Sequence, residues 1–246
     1  MGGSTKDGPG GAALCDHHEV SGTAFPRPRV GRPRAAGPSS SELSAREQLL
    51  AAAAALFTRN GYAATTTRAV AELAGLRQAS MYHYFAHKED LLATLLEGTV
   101  APSLAFGRRL LADPGLDPAA ALWLLARYDA ELLFGGLYNL GALYQLPEVR
   151  GERFTDFRRT RAELRGVYGE LLGRLAPAPD PASDLELRTD LLLGLVEGGV
   201  AAAREDPART GAEVAAELAD AALRLAGCGA GRIALARTAD LAGASR

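Results

Sequence analysis

The sequence lacks most of the features that mark secreted, membrane-spanning, disulfide-linked or metal-binding proteins. Its two cysteines, Cys15 and Cys228, lie near opposite ends of the 246 residues, which supports neither a disulfide framework nor a metal site. No apolar run is long enough to cross a bilayer. The N-terminal stretch mixes acids with glycines and has no apolar central block, unlike a secretory signal. We therefore expect a cytoplasmic protein with no metal, no cofactor and no membrane partner.

β-Branched residues are also scarce, whereas alanine, leucine and glutamate are frequent. This balance favours helix over sheet. Hydrophobic residues make up 48% and charged residues 23% of the chain, as in ordinary globular proteins, and the length is enough for one or two domains. These properties predict an all-α fold.

The net charge of −2 conceals an uneven distribution along the chain. Residues 26–34, PRPRVGRPR, contain four arginines and no acid, whereas the cations and acids of residues 44–100 balance. The clustering of charge matters more for binding a polyanion than the total charge does. The basic arm at 26–34 is therefore the part of the chain best suited to attract a polyanion.

Composition and periodicity divide the chain into four parts. The first is rich in Gly, Pro, Ser and Ala and is expected to be disordered. Order is predicted to begin at Ser44, where the letters SARE fit a helix capping box. The predicted parts are a disordered tail (1–41), an N-terminal three-helix domain (42–100), a larger C-terminal helical bundle (101–226) and a loosely ordered tail (227–246).

Two short helices joined by a tight turn are predicted within the N-terminal domain. The first begins near Thr66, buries Val70, Leu73 and Ala74, and stops at Gly75, and the second spans about residues 78–85. This arrangement fits a helix-turn-helix, whose second helix enters the major groove of DNA.

The second of these helices is predicted to present a polar aromatic face. Met81 and Phe85 lie one turn apart and can pack inward, so that four other residues point outward: Gln78, Ala79, Tyr82 and His83. Tyrosine hydroxyls suit phosphate oxygens, glutamine can pair with adenine, and alanine permits close approach to a thymine methyl. We therefore expect this face to touch DNA. The alternative is a helix packed against another domain, with its aromatics in the core.

The segment at positions 56–92, LFTRNGYAATTTRAVAELAGLRQASMYHYFAHKEDLL, resembles the DNA-binding domain of the TetR family of bacterial transcriptional regulators. The likeness extends back to Ser44 and covers about a quarter of the chain. It is carried at fixed spacing by Phe57, Gly61-Tyr62, Thr65-Thr66-Thr67, Ala71, Ala74-Gly75, Tyr82-His83-Tyr84-Phe85, Lys88 and Leu91.

The resemblance implies DNA contacts from the two helices and from the start of the next one. Thr66 or Thr67 would cap the first helix and bind a phosphate, and Lys88 would bind a second phosphate. The remaining implied contacts come from Arg68, Arg77, Gln78, Ala79, Tyr82, His83 and Tyr84. The chain departs from the family pattern at Arg77, where a small hydroxyl residue is usual. An arginine caps a helix poorly, at a loss of about 1 kcal/mol, but it can add a phosphate or guanine contact.

The letters GRPR at 31–34, within the basic arm, resemble the core of an AT-hook. An extended Arg-Pro segment fits a narrow minor groove. Arg32 and Arg34 are therefore predicted to enter the minor groove beside the helix-turn-helix. A solvated linker is the alternative, because short Arg-Pro runs are weak motifs.

The rest of the chain is predicted to be helical, with a helix from Lys88 to just before Pro102 and further helices over about 117–149, 147–176, 184–204 and 210–226. The resemblance implies that this bundle binds a small-molecule effector, and aromatic side chains can line such a pocket. The predicted pocket residues are Trp123, Tyr128, Phe134, Tyr138, Asn139 and Phe157. Ordinary core packing explains the same aromatic pattern.

Closely spaced glycines in the letters LLLGLVEGGVAAA (191–203) predict a helix–helix interface. Gly194 and Gly198 lie one turn apart, which lets another helix backbone approach, and the next helix carries a matching apolar stripe. Two helices from each subunit would form a two-fold dimer. The predicted interface consists of Leu191, Gly194, Gly198, Val214, Leu218 and Leu225. Packing within one chain is the alternative.

Together these features predict a homodimeric, ligand-responsive transcription regulator that binds a near-palindromic DNA operator, with repression as the expected output. Activation, or regulation without a ligand, is an alternative within the same fold. A helical interaction protein that does not bind DNA is another. An enzyme is disfavoured, because the sequence shows no nucleophile–base pairing, metal-ligand spacing or glycine-rich phosphate loop.

Deletion of residues 1–36 is expected to flatten the salt dependence of operator binding. The slope of log K against log salt concentration is negative, and each arginine–phosphate contact that is lost reduces its magnitude by about 0.9. Fluorescence anisotropy between about 50 and 200 mM salt measures this slope. An unchanged slope would show that the arm takes no part in DNA binding.

Overall fold

The computed structural model describes residues 43–134, 140–175, 184–203 and 210–243, and all regular structure in these ranges is helical. The all-α prediction is confirmed. None of the described helices has the length and apolar character needed to traverse a lipid bilayer. The α-helices are α1 (Ala45–Asn60), α2 (Thr67–Leu73), α3 (Gln78–Tyr84), α4 (Lys88–Ala112), α5 (Pro118–Phe134), α6 (Thr155–Leu175), α7 (Leu185–Ala203), α8 (Gly211–Leu225) and α9 (Ala230–Gly243).

Helices α1–α3 and the first half of α4 form the head of the molecule, and local capping sets their boundaries. Ser44 and Glu47 form the predicted capping box: the Glu47 amide donates to Ser44 Oγ (3.3 Å) and the Ser44 amide to the Glu47 carboxylate (2.8 Å). Thr66 Oγ1 accepts a first-turn amide hydrogen of α2 (3.1 Å). Gly75 turns the chain toward α3 with a φ of 73°, which favours glycine. The Arg77 side chain makes no cap for α3, as the sequence predicts.

Helix α4 is longer than predicted and passes through Pro102 to Ala112. A proline inside a helix removes one backbone hydrogen bond and crowds the preceding turn, so the expectation was a helix end before it. That expectation is wrong, because Val100 and Leu104 on either side of the proline are buried and their packing outweighs the lost bond. The predicted domain boundary at residue 100 therefore falls inside one continuous helix.

Residues 141–154, between α5 and α6, form short 3₁₀ turns. The helices predicted over 117–149 and from residue 147 onward are both wrong in this stretch. The turns span Gly141–Gln145, Pro147–Arg150 and Glu152–Phe154 and together form the 3₁₀ segment (141–154). Pro147 has no amide hydrogen with which to continue a helix from the preceding turn. Gly151 is extended, with a ψ of 164°, and interrupts the next turn. Helix α6 consequently begins only at Thr155.

The C-terminal helices enclose an aliphatic core centred on α5. This helix packs against α4, α6, α7, α8 and α9, and its Leu122 and Leu125 are completely buried. Glycine permits the closest approach between α4 and α6, since a Cβ added at Gly107 would lie 2.8 Å from Val167 Cγ1. The second half of α4 is therefore packed between α5 and α6.

Residues 230–243 form α9, so the prediction of a loosely ordered tail over 227–246 is wrong for this stretch. Ile233 and Ala236 are buried, and the helix packs against α5 and α8. Two buried side chains make too weak an apolar pattern to be recognised in the sequence. Docking on the bundle, more than local sequence preference, stabilises this helix.

Asp220 of α8 anchors α9 to the bundle. Arg237 donates two hydrogen bonds to its carboxylate (2.9 and 2.5 Å), and the indole N–H of Trp123 donates a third (2.9 Å). Burial by itself raises the pKa of Asp220, but the hydrogen bonds from Arg237 and Trp123 outweigh burial and lower the pKa below its usual value. The carboxylate is therefore charged and paired in the folded protein at neutral pH.

The substitution Arg237→Met is expected to destabilise the fold by about 1–3 kcal/mol, because it removes the guanidinium that pairs with a buried carboxylate. Arg232→Met is the matched control: Arg232 lies on the same helix and pairs with Asp117 (3.2 Å), with side-chain exposures of 44% and 56%. Such a surface pair contributes about 0–1 kcal/mol. Urea unfolding followed by circular dichroism compares the variants. Equal losses would show that Asp220 does not anchor α9.

Candidate nucleic-acid interface and ligand cavity

Helix α3 buries one side and exposes the other, as the sequence predicts. Met81 is completely buried and Phe85 nearly so. Tyr82 and Tyr84 keep 49% and 45% of their surface accessible, which is uncommon for large aromatic side chains without a partner. The predicted outward residues are exposed: Gln78, Ala79, Tyr82 and His83. The exposure of this face is confirmed, and its contact with DNA stays a prediction.

Three polar side chains of this surface hold one another in place. The Tyr82 hydroxyl lies 3.2 Å from Thr67 Oγ1, and the Gln78 amide nitrogen donates to Thr67 (3.3 Å) and to Tyr82 (3.4 Å). These bonds connect the first turn of α2 to α3 and restrict side-chain rotation. The amide oxygen of Gln78 takes no part in them, so it can accept a further hydrogen bond. Side chains ordered in this way lose less entropy when a partner binds.

The predicted DNA-contacting arginines differ in how available their charge is. Arg68 pairs with Glu72 at 2.8 Å on the exposed side of α2, so part of its charge is already neutralised. Arg77 is exposed at the start of α3. In the part of the chain that the structure describes, it has no carboxylate partner. Arg77 is therefore the better placed of the two for a phosphate or a base.

Lys88 has a structural role that sequence reasoning missed. Its Nζ donates to the carbonyl oxygens of Tyr62 (2.8 Å) and Thr65 (3.0 Å) and lies 4.2 Å from the centre of the Tyr62 ring. The ammonium thus ties the α1–α2 loop to the start of α4. One of its three donors remains for the predicted phosphate contact. The only signal in the sequence was Tyr62, whose ring can bind a cation.

Leu73 is 55% exposed, so the prediction that α2 buries it is wrong. The buried face of α2 is formed by Val70 and Ala71. Each residue advances about 100° around a helix, which places Leu73 roughly 160° from Ala71. The predicted minor-groove residues Arg32 and Arg34 lie outside the described part of the chain.

A cavity of about 260 Å³ lies between the 3₁₀ segment and α6. The rings of Tyr144 and Phe157 meet edge to face on its wall, with centroids 5.0 Å apart. The lining residues are Tyr144, Gln145, Leu146, Val149 and Arg150 from the 3₁₀ segment and Phe157, Arg158 and Arg161 from α6. The predicted pocket residue Phe157 is among them, and the three arginines were not predicted.

Two of the other predicted pocket residues, Trp123 and Tyr128, are not among the described residues that line this cavity. Trp123 is buried and bonded to Asp220, and the Tyr128 ring packs on Phe106 with centroids 4.5 Å apart. Tyr138, Asn139 and the side chain of Phe134 lie outside the described residues. For Trp123 the structure therefore shows the core packing that was the alternative explanation of the aromatic pattern. Tyr128 is half-buried and contacts Phe106.

Two of the arginines that line the cavity have different partners. Arg158 donates to the carbonyl oxygens of Val149 (2.8 Å) and Gly151 (2.6 Å), which fastens α6 to the 3₁₀ segment. Arg161 forms a two-pronged ion pair with Glu197 of α7 (2.7 and 2.6 Å). The hydrogen bond with Glu197 raises the pKa of Arg161 against the opposing effect of burial.

A buried carboxylate, Asp129 of α5, interacts with the same ion pair. The hydroxyl groups of Ser103 and Tyr168 donate to it at 2.8 and 3.1 Å. Burial raises the pKa of Asp129 to about 6, the two hydrogen bonds oppose this rise, and the nearby charge of Glu197 adds to it. The carboxyl group thus connects α4, α5 and α6 through polar contacts inside an otherwise apolar core.

The 3₁₀ segment packs into the apolar core of the head. Leu143, Val149 and Phe154 are buried in one cluster with Phe57 of α1 and Leu91 of α4. The cavity and the head therefore share a wall, because five of the residues that line the cavity belong to this segment.

Polar contacts reinforce this packing along α4. The Tyr144 hydroxyl is hydrogen-bonded to Thr99. Arg153 pairs with Asp90 in the first turn of α4 (2.7 Å) and, more loosely, with Glu97 (3.4 Å). The 3₁₀ segment is thus held to α4 at both the start and the middle of the helix.

The predicted dimer interface divides into an exposed part and a buried part. On α7, Leu191 is 55% exposed and Leu187 on the same stripe 54%, and Gly194 and Gly198 are exposed. Val214 and Leu218 of α8 are buried in the core of the same chain, and Leu225 is partly buried against it. For these three residues of α8 the structure shows the intramolecular packing that was the alternative. Leu218 packs over Gly199, where an added Cβ would lie 2.2 Å from its Cδ2.

Sequence comparison identifies relatives of the chain. Residues 49–95 match the family profile described as bacterial regulatory proteins, tetR family. The HTH-type transcriptional repressor KstR2 of Rhodococcus jostii (strain RHA1) is 33% identical over 140 residues, which make up 55% of this chain and 67% of that protein.

Solved structures extend the likeness to the C-terminal bundle. AmtR of Mycobacterium smegmatis is 40% identical, with a TM-score of 0.72 over 84% of this chain and 98% of that chain. The ketosteroid transcriptional regulator KstR2 of Mycobacterium tuberculosis is 25% identical, with a TM-score of 0.63 over 75% of this chain and 94% of that chain. The chain belongs to the TetR family of bacterial regulatory proteins.

Proposed function

We propose that the chain is a homodimeric DNA-binding regulator that represses transcription in the cytoplasm and is released from its operator by a small molecule. The observation that carries the DNA-binding part is the outward face of α3. It presents Gln78, Tyr82 and His83 on a helix that buried Met81 fixes in the core of the head. A helix presented in this way fits the major groove, with phosphates contacted from either side.

Repression is proposed on the basis of the relatives. KstR2 of Rhodococcus jostii is a transcriptional repressor, and its similarity to this chain covers more residues than the head contains. Activation, or regulation without a ligand, is the alternative within the same fold. No residue of the head distinguishes these outputs, because they depend on where the operator lies relative to the promoter.

The cavity beside α6 is the proposed site of the releasing ligand. A ligand in it would touch the 3₁₀ segment, and that segment shares the core of the head and is bonded to α4. The ligand releases DNA only if it binds one arrangement of the head better than the other, since equal affinity for both shifts nothing. Helix α4 would transmit the change, because it belongs to both the head and the bundle.

The proposed dimer forms through the exposed stripe of α7. Leu187, Leu191, Gly194 and Gly198 recur at intervals of three and four residues on this stripe, which is the spacing of a helix–helix seam. The exposed leucines supply apolar area, and the glycines allow close approach of a second helix. A two-fold axis beside α7 would place the same stripe of each subunit in contact.

The substitution Gln78→Ala is expected to weaken operator binding by about 5- to 150-fold per half-site, since a bidentate contact between a side chain and a base contributes about 1–3 kcal/mol. It should also relax base preference at one position of each half-site. Fluorescence anisotropy is measured on the DNA site that footprinting defines beside the protein's own gene. Leu235→Ala, at a 71% exposed position on α9, is the control that should retain affinity. Unchanged affinity and base preference in Gln78→Ala would contradict the assignment of α3.

The substitution Leu191→Arg is expected to convert the dimer to a monomer, because it places a like charge from each subunit in the centre of an apolar seam. Operator affinity should fall when the dimer is lost, since each half-site is then bound independently. Leu235→Arg introduces the same change at another exposed leucine and should leave the dimer intact. Sedimentation velocity distinguishes the species. A Leu191→Arg protein that remains a dimer would place the interface elsewhere.

A further inference from the structure

We propose that the cavity between the 3₁₀ segment and α6 binds a small anionic ligand, a carboxylate or a phosphate ester with an apolar group, and that Arg150 and Arg161 are its charge partners. The proposal rests on the proposed function, because it names the chemical class of the releasing ligand. It follows from the charges that face the cavity, from the donors they leave unused and from the size and apolar surface of the cavity.

The charges around the cavity do not balance. Among the described residues, Arg150, Arg158 and Arg161 line it, and no carboxylate does. Glu197, which pairs with Arg161, is the one acid bonded to any of these three guanidinium groups among the residues that the structure describes. Arg158 is held by neutral carbonyl oxygens, which leave its charge uncompensated. Set against Glu197 and the nearby buried Asp129, the three guanidinium groups leave an excess of about one positive charge, and a partly buried excess charge is stabilised by a counter-ion.

Two of the arginines have donors that an anion can use. Arg161 bonds to Glu197 through Nε and Nη2, so the two N–H groups of Nη1 are not engaged by that pair. Arg150 is exposed and lines the cavity, and it has no partner within the described ranges. A planar guanidinium binds carboxylate and phosphate oxygens in two-pronged geometry, which a neutral ligand cannot reproduce.

The volume and the apolar walls of the cavity limit the size and the chemistry of the uncharged part of the ligand. The volume of about 260 Å³ is slightly below the range of about 300–1,000 Å³ that is typical of small-molecule sites, so the ligand must be small. Phe157 and Tyr144 offer an aromatic surface, and Leu146 and Val149 offer an aliphatic one. An anionic group on a small ring or short branched chain fits both requirements.

An anion that bridges the two arginines would connect two parts of the fold. Arg150 belongs to the 3₁₀ segment and Arg161 to α6. Drawing them together would move the 3₁₀ segment toward α6, and its buried Val149 and Leu143 belong to the core of the head. The charge of the ligand, in addition to its bulk, would therefore bias the position of the head.

Binding of three probes to the full-length protein tests the proposal: benzoate, phenyl phosphate and, as the neutral control of the same shape, benzamide. Calorimetric titration and thermal unfolding are measured at constant ionic strength with chloride as the balancing anion. Benzoate, phenyl phosphate or both should bind at least tenfold more tightly than benzamide and raise the Tm. The anion that binds, benzoate or phenyl phosphate, shows whether the cavity takes a carboxylate or a phosphate ester. Equal binding of benzamide, or no binding of either anion, would overturn the proposal.

Two variants locate the site. Arg150→Gln should weaken anion binding at least tenfold without changing the fold, because this arginine is exposed and unpaired within the described residues. Arg159→Gln, on α6 but outside the cavity and paired with Asp156, should bind as the wild type does. The double variant Arg161→Gln/Glu197→Gln removes both charges of the ion pair together, which avoids leaving one buried charge, and should also lose anion binding. Undiminished binding in Arg150→Gln and in the double variant would overturn the assignment.

Operator binding of the same proteins without any probe separates this proposal from the proposed function. If the wild type protects an operator but neither anion binds, the regulator stands and the anionic ligand fails. If anions bind through Arg150 while no operator is protected, the cavity is as proposed and the regulatory function fails.

Discussion

The packing of the 3₁₀ segment into the apolar core of the head is the contact on which the rest of the structure depends. A domain of about 60 residues buries only about 60% of the surface that its unfolded chain exposes, so a head of this size gains much from additional cover. Leu143, Val149 and Phe154 provide that cover over Phe57 and Leu91. Truncating one such buried aliphatic side chain typically costs about 2–5 kcal/mol, which is a large fraction of the total stability of a domain.

This packing explains why the head and the bundle belong to one compact unit. Helix α4 runs through both, with Pro102 in its interior and buried residues on either side. The 3₁₀ segment touches the head with one side and forms the cavity wall with the other. Packed cores change between discrete arrangements more readily than they deform gradually. A shift of the 3₁₀ segment at the cavity is therefore expected to reposition the head as a unit.

The features that could be predicted from the sequence are those that neighbouring residues determine. The capping box at Ser44, the positive φ of Gly75 and the burial of Met81 and Phe85 follow from spacing within one or two turns, and the structure has them. The exposed polar face of α3 follows from the same periodicity. The family resemblance added the prediction that this face contacts DNA, because its residues match the family at fixed spacing.

The features that could not be predicted depend on contacts between distant residues. Lys88 meets carbonyl groups more than twenty residues away, and nothing in its local sequence identifies them. The helix through Pro102 follows from tertiary packing, which outweighs the local preference of proline. Among the cavity arginines, Arg150 lies in a stretch whose sequence resembles a helix but which Pro147 and Gly151 interrupt. Arg161 of α6 pairs with Glu197 of α7, 36 residues away.

Hydrogen exchange of the full-length protein, compared with and without operator DNA, tests most directly whether the head and the cavity wall are mechanically one unit. If they share a core as the structure indicates, DNA binding slows amide exchange in α2 and α3 and also changes it in residues 141–154, which do not face the DNA. Protection confined to α2 and α3, with exchange in residues 141–154 unaltered, would contradict this account.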